Sequence, residues 1–476
     1  MTDPPLPPPE PEPEPEPPAP PDRFLFRSAL ALLVLVLGYY AFYSNAGSTT
    51  ELYEGLAIIV LAALPTLMWA RHTTHGFPVF EVFMLTGITL YALPLLNGPD
   101  ELDIYSESVV TQAAAAVLFF QIIALAAYTI TRGRPRTTPF WTEEAISQDT
   151  GKYLGYGLVL TTIYTGIANF SNAIPNDFEG PLRAVFYGMG IISGFIQGLR
   201  WGQGALNFRE KVMFTLNIAL QVVFSFATLY LLGGISIIIL VLIGYVASSK
   251  RLPFIALIII LPIIAVLHNG KTAMREEYWA DDVQATPKLT ELPAFFLEWT
   301  HDGLQYRPKN GLAGKLIERT SLFQMICLVV DKTPDQVAFL EGKTYAQIPG
   351  QFIPRFFWAD KPVGKISTDT LSIYYGLQSP GATQKTTIAF GLLAEAYANF
   401  GFFGVGLFAA VFAFCLKKYS LWAQQSHLLS YAGLLLVLLM AWSFQTEQTL
   451  SIWLSSLFQA AVAVLGVPFV LRRILG

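Results

Sequence analysis

Three arginines, Arg275, Arg319 and Arg355, are spread along residues 269–385, each beside apolar or aromatic residues. A guanidinium presents a planar fork of donors that grips two oxygens of a phosphate at once. Arg355 stands in Ile-Pro-Arg-Phe-Phe-Trp-Ala-Asp-Lys-Pro (353–362), where prolines fix the backbone and aromatics suit a membrane interface. A diphosphate at the end of a lipid would lie at that depth. Glu276, Glu318 and Asp360 stand close in sequence, so the arginines could equally pair with them and only hold the segment together. The residues alone leave both readings open.

Glu395 opens an apolar run, Leu-Leu-Ala-Glu-Ala-Tyr-Ala-Asn-Phe-Gly-Phe-Phe-Gly (392–404), with Asn399 one helical turn later on the same face. A carboxylate there could bind a sugar hydroxyl, act as a base or orient an arginine. It could also cap or pair at a helix start. Conventional signatures are missing: the chain has no P-loop, no G-x-S-x-G and no H-E-x-x-H. His72 and His75 form H-x-x-H without a third ligand nearby, and His268 and His301 could act as bases but are expected to be satisfied or solvent-facing. The two cysteines, Cys327 and Cys415, form no C-x-x-C and are expected on opposite sides of a membrane. Asp281-Asp282 has no second acidic pair beside it, so we expect chemistry without a metal or cofactor.

The elements that must position these residues follow from composition. Of 476 residues, 53% are hydrophobic and 13% are charged, against about 25% charged in ordinary soluble domains. That excludes a soluble enzyme and a disordered scaffold. The net charge of −4 offers no basic footprint for nucleic acid. The fold class is therefore an all-α polytopic membrane protein. Apolar runs of spanning length occur at 24–44, 52–70, 78–96, 109–131, 152–171, 181–199, 211–231, 233–249, 252–268, 391–416, 429–446 and 451–471. About twelve transmembrane helices are expected. Glu81 should be interfacial, Asn217 and Gln221 should bond neighbouring helices, and Gly190, Gly194 and Gly198 should form a close-packing ridge.

Four regions result: a tail (1–22), a bundle (23–268), a long loop (269–385) and a second bundle (386–476). The tail holds 12 of the 31 prolines and no Lys or Arg, and reads as an extended cytoplasmic spacer. Placing the N-terminus inside puts Arg23, Arg27, Arg71, Arg132, Arg134, Arg136, Arg200, Arg209, Lys211, Lys250, Arg251, Lys417, Lys418, Arg472 and Arg473 in the cytoplasm. The short loops on the other side carry no Lys or Arg, and only Arg183 sits near that face. The long loop is then extracytoplasmic, and residues 312–330 read as a helix on the membrane surface or against the bundle.

Gly342-Lys343-Thr344-Tyr345, then Ile353-Pro354-Arg355 with Trp358 and Lys361-Pro362, then Glu395-Ala-Tyr-Ala-Asn399-Phe400-Gly401-Phe-Phe-Gly404 resemble the run found in Wzy-type O-antigen polymerases. The resemblance covers about residues 315–410, with Ala359 where that pattern more often has proline. It implies a fold of the GT-C glycosyltransferase type with a large periplasmic loop in a bacterial inner membrane. It also implies block polymerisation of undecaprenyl-pyrophosphate-linked glycan, with no cofactor, among membrane lipid and beside a chain-length regulator and a flippase. By this resemblance Arg355 and Arg319 grip the pyrophosphate and Glu395 positions or activates the acceptor hydroxyl. Lys361, Tyr397 and Asn399 would bind substrate, and Arg183 and Arg275 join them by side of the membrane and charge. An O-antigen ligase, a flippase of the same lipid-linked sugar, and a non-catalytic envelope component remain the alternatives.

The charge asymmetry predicts cytoplasmic termini and an external 269–385. A reporter fused after Lys288 that is active only in the cytoplasm should stay silent; activity would invert this topology.

Overall fold

The computed structural model describes residues 23–71, 76–131, 154–171, 173–174, 176–279, 286–305, 321–353, 358, 361, 364–466, 469 and 473. The tail, His72, His75, Arg319 and Arg355 lie outside the described residues. Regular structure among the described residues is helical. The first bundle comprises α1 (Phe24–Tyr43), α2 (Thr49–Ala70), α3 (Val79–Asn97), α4 (Glu107–Thr131) and α5 (Leu154–Phe170). It continues with α6 (Asn176–Gly202), α7 (Phe208–Phe226), α8 (Leu231–Ser249) and α9 (Phe254–Tyr278). The long loop holds α10 (Leu292–Gln305), α11 (Phe323–Lys332) and α12 (Ile366–Tyr374). The second bundle is α13 (Gly391–Ala423), α14 (Tyr431–Ser443) and α15 (Leu450–Ala461).

Each apolar run in the sequence coincides with a helix, and among the described residues eight helices are long and apolar enough to cross a membrane. The eight are α1, α2, α3, α4, the Leu182–Gly202 part of α6, α8, α9 and α13. The 13 residues of α14 rise only about 20 Å, short of a hydrocarbon core of about 30 Å. Ile255, Ile258 and Ile259 on α9 are more than half exposed, a face that water would not tolerate and lipid solvates. The chain is a helical membrane protein.

Close packing follows from small residues. A Cβ at Gly198 would stand 2.6 Å from the carbonyl oxygen of Val241, so the glycine ridge of α6 lets α8 approach it closely. Asn217 and Gln221 bond across to α5: Thr162 Oγ1 donates to Asn217 Oδ1 at 3.1 Å, and Gln221 Nε2 donates to Thr162 Oγ1 at 3.0 Å.

Residues 269–278 are not loop. α9 runs on to Tyr278, and α10 folds back along it. Trp299 Nε1 donates to Leu267 O at 2.6 Å and Asn269 Nδ2 to Gly303 O at 2.6 Å, which fixes this pair. Buried His268 lies on the same stretch of α9, whereas exposed His301 on α10 meets Gln305 at 2.8 Å. The helix expected over 312–330 is described from Phe323; it is no surface helix, because α4 and α13 cover Phe323, Ile326, Cys327 and Val329. A π-helical turn at Ile88–Ala92 in α3 shifts the hydrogen-bond ladder, and Leu90 O accepts from Leu322 N at 3.0 Å. That bond ties the start of α11 to the bundle. Cys415 is exposed and Cys327 buried, and both are free thiols.

Glu81 is not interfacial. It is 1% exposed, and Lys417 Nζ on α13 donates to its Oε1 at 3.1 Å, with Tyr128 OH of α4 donating to the same oxygen at 3.1 Å. Lys417, expected among the cytoplasmic cations, is 0% exposed and lies over the Tyr128 ring at 4.6 Å. Three helices are thereby joined within the bundle. Removing one partner of such a pair strands a buried charge, whereas an apolar pair of similar volume often costs little. We expect Lys417→Met to lower unfolding stability by about 3–5 kcal/mol, with Glu81→Met/Lys417→Met recovering most of it. Denaturant titration in detergent micelles checks this, and equal loss in the single and double variants would contradict it.

Candidate functional site

The first N–H groups of any helix lack an intrahelical acceptor. In α13, Gly391 N and Leu392 N donate to Glu447 O at 2.9 Å and Thr446 O at 3.1 Å, in the turn between α14 and α15. Glu395 reciprocates from the second turn of α13: its Oε2 accepts from Leu450 N, the first residue of α15, at 2.6 Å. Its negative charge sits at the positive end of that helix. Of the alternatives left open by the sequence, the geometry realises a cap, though of α15 rather than of its own helix. Glu395 is 0% exposed, so it does not stand at an open lip. Its Oε1 has no hydrogen-bond partner among the described residues.

α13 is broken at Phe400 (φ −146, ψ 17) and Gly401 (φ 59, ψ −146). The second conformation is essentially restricted to glycine. A Cβ at Gly404 would lie 2.4 Å from Ala396 O, so only a residue without one lets the two halves of the helix fold this closely together. The break frees two carbonyls for other donors. Ala398 O accepts from Leu340 N at 3.0 Å and Asn399 O accepts from Glu341 N at 3.1 Å.

Side chains complete the clamp. Asn399 Oδ1 accepts from Gly342 N at 3.0 Å, and its Nδ2 donates to Thr344 Oγ1 and to Glu395 O, both at 2.8 Å. The Thr344 side chain also lies beside the Glu395 carboxylate. Gly342, at φ +87, lies under the Phe400 ring, which faces Tyr345 with centroids 6.5 Å apart. Burial pushes the Tyr345 phenol pKa up, and the Glu395 carboxylate adds to the rise. The segment 340–345 and the start of α13, more than fifty residues apart in sequence, form one polar knot. Beside it Thr368 Oγ1 of α12 meets Thr449 Oγ1 at 3.0 Å.

The other expected site residues divide clearly. Lys361 Nζ donates to Gln351 O at 2.6 Å and Ile353 O at 2.9 Å, which closes the ends of the segment containing Arg355. Tyr397 points away from Glu395, toward α4, where its hydroxyl accepts from Gln112 Nε2 at 3.4 Å. Arg275 lies elsewhere: it donates to Leu229 O at 3.0 Å, between Tyr230 and Trp279 at 5.1 and 4.1 Å. Arg183 is exposed on α6, where its charge acts on Tyr187. The structure brings Glu395 and Asn399 together and leaves Tyr397, Arg275 and Arg183 outside their knot. Thr344 and the start of α15 were missed as site elements. A neutral Thr carries no chemical signature of its own, although it stands inside the Gly342–Tyr345 motif. Among the described residues, no group of three or more His, Cys, Asp or Glu is placed to hold a metal ion.

If the knot holds the segment in place, Asn399→Ala should loosen 340–345. Leaving Thr344 Oγ1 and the Gly342 N–H short of partners costs about 1–3 kcal/mol each. Hydrogen exchange at Gly342 and Thr344 is expected to rise by at least about tenfold with the helices unchanged. Unchanged exchange would show that the clamp does not hold this segment.

A family model, Domain of unknown function (DUF8712), matches residues 176–451, which is more than half of the chain and includes the whole knot. No curated protein and no solved structure matches the chain. By the extent of that match, the protein belongs to the DUF8712 family.

Proposed function

We propose that this protein is a metal-independent glycosyltransferase that joins undecaprenyl-diphosphate-linked oligosaccharide repeat units into a surface polysaccharide. On this reading the chain crosses a bacterial plasma membrane about twelve times in a GT-C-like arrangement. Both termini are cytoplasmic and 269–385 faces outward, where a flippase delivers the units and a regulator limits chain length. The observation that carries the proposal is the contact between Gly342–Tyr345 and Glu395–Gly404. These are two of the three separate pieces that resemble the polymerases, and they meet through Asn399 and Thr344.

The acceptor hydroxyl attacks the anomeric carbon of the donor, the bond from that carbon to the diphosphate oxygen breaks, and the hydroxyl proton leaves to water. Charge grows on the departing diphosphate. Arg355 and Arg319 are the groups that neutralise it, since a guanidinium keeps its charge at any working pH. Lys361 has a supporting part, because it closes the segment in which Arg355 stands. Full burial of Glu395 favours a positioning role: its carboxylate fixes α13 to α15, and Asn399 links its carbonyl to Thr344.

The test uses purified full-length protein and lipid-linked repeat units. Arg355→Ala should slow chain growth by about a hundredfold to a thousandfold while the folded protein stays abundant. Arg355→Lys should recover part of the rate, because lysine keeps the charge but loses the planar fork. An arginine that only pairs with Asp360 would behave otherwise: alanine would lower the folded yield, and Asp360→Ala would copy it. Normal polymer from well-folded Arg355→Ala would remove this residue from the site. Translocated but unextended units would make the protein a flippase, and transfer to a different acceptor would make it a ligase.

A further inference from the structure

At the end of the bundle opposite the knot, the ends of α1, α2 and α8 meet around an apolar floor of Leu25, Trp69 and Ala70, packed with Phe26, Val246 and Leu252. Cations ring this floor. Lys250 takes a left-handed conformation (φ 55) just past α8, which turns its Nζ over the Trp69 ring at 3.6 Å. Trp69 is itself held, since its Nε1 donates to Gly76 O at 3.0 Å. The Arg71 guanidinium lies over Phe26 at 5.8 Å. Arg23 caps the start of α1, Arg27 follows Phe26 on it, and Arg251 follows Lys250.

Among the described residues none of these five cations forms an ion pair, and the Glu81 carboxylate that acts on Lys250 is already bonded to Lys417. Burial pushes the Lys250 pKa down to about 8, and the Glu81 carboxylate offsets only part of that fall. Directly beside the cations stand exposed apolar side chains: Phe24 (45%), Phe254 (44%) and Ile255 (78%). An occupant that suits this place must carry an anion at one end and hydrocarbon next to it. The acidic tail 1–22, with its six Asp and Glu, could neutralise the charge but would leave the apolar side chains uncovered.

We infer that the Arg71–Lys250 corner is a binding site for the phosphate headgroup of an anionic phospholipid, whose acyl chains lie along Phe254 and Ile255. Cations between helix ends at headgroup depth attract such lipids, and Trp and Phe there provide the apolar contact. The site lies at the end of the bundle opposite Glu395, so it is separate from any donor diphosphate bound near the knot.

The test reconstitutes the full chain in bilayers of equal phosphatidylglycerol and phosphatidylcholine and counts the lipid retained on the protein by native mass spectrometry. Phosphatidylglycerol should be retained selectively. Arg71→Gln/Lys250→Gln should weaken its retention by about thirtyfold, while Arg71→Lys/Lys250→Arg should preserve it. Helix content and monodispersity of both variants are measured alongside. If the neutral variant misfolds, the charge-keeping variant and competition by free phosphate still decide the matter. Equal retention of the two lipids would overturn the site. So would undiminished retention in a folded neutral variant, loss in a folded charge-keeping variant, or displacement by inorganic phosphate alone. A strong gain on deleting residues 1–22 would overturn lipid as the natural occupant in favour of the tail.

Discussion

Everything at the candidate site depends on the break in α13 at Phe400–Gly401. An unbroken helix would spend the carbonyls of Ala398 and Asn399 on their own fourth neighbours. Breaking it leaves them to accept from Leu340 N and Glu341 N, so an irregular segment of the long loop is held by backbone bonds against a membrane helix. Non-helical backbone at this depth is stable only where protein supplies its partners. Asn399 and Thr344 supply the rest, and Glu395 carries the connection on to α15. Glycine at 401 permits the geometry through its φ, and glycine at 404 through its missing Cβ.

The other half of α13 is fixed by different physics. Lys417 and Glu81 are taken out of water, and they persist because Tyr128 adds a hydrogen bond and the pair is close. One helix is thus anchored by backbone acceptors at one end and by an ion pair to α3 at the other. α3 also holds α11, through Leu90. The long loop is therefore built onto the bundle along α3 and α13, with Thr368 of α12 meeting Thr449 beside the start of α15.

Much of this was legible in the residues. Apolar run length located the helices, since a spanning segment must bury its own backbone polar groups. Asn217, Gln221 and the α6 glycines behaved as polar or small residues between helices must. Glu81 was misjudged because its partner is 336 residues away, and hydropathy does not see partners. The continuation of α9 was missed because Lys271, Arg275 and Glu276 break the apolar run; charge ends a span without ending a helix. Glu395 and Asn399 were recognised by spacing on one face, but the cap on α15 depends on a turn that only tertiary structure brings there. Arginine type and position could not separate Arg275, which secures Leu229 O between two aromatic rings, from an arginine that meets substrate.

The central claim is that the surface held by the α13 break receives a lipid-linked glycan. Photo-crosslinking tests it most directly, with a photoreactive polyprenyl-diphosphate glycan bound to the full chain in a bilayer and adducts mapped by mass spectrometry. The account predicts adducts within 340–361 and at the start of α13 and α15, competed away by unlabelled lipid-linked glycan. Adducts spread over the lipid-facing sides of α7, α8 and α9, with none near the knot, would contradict it.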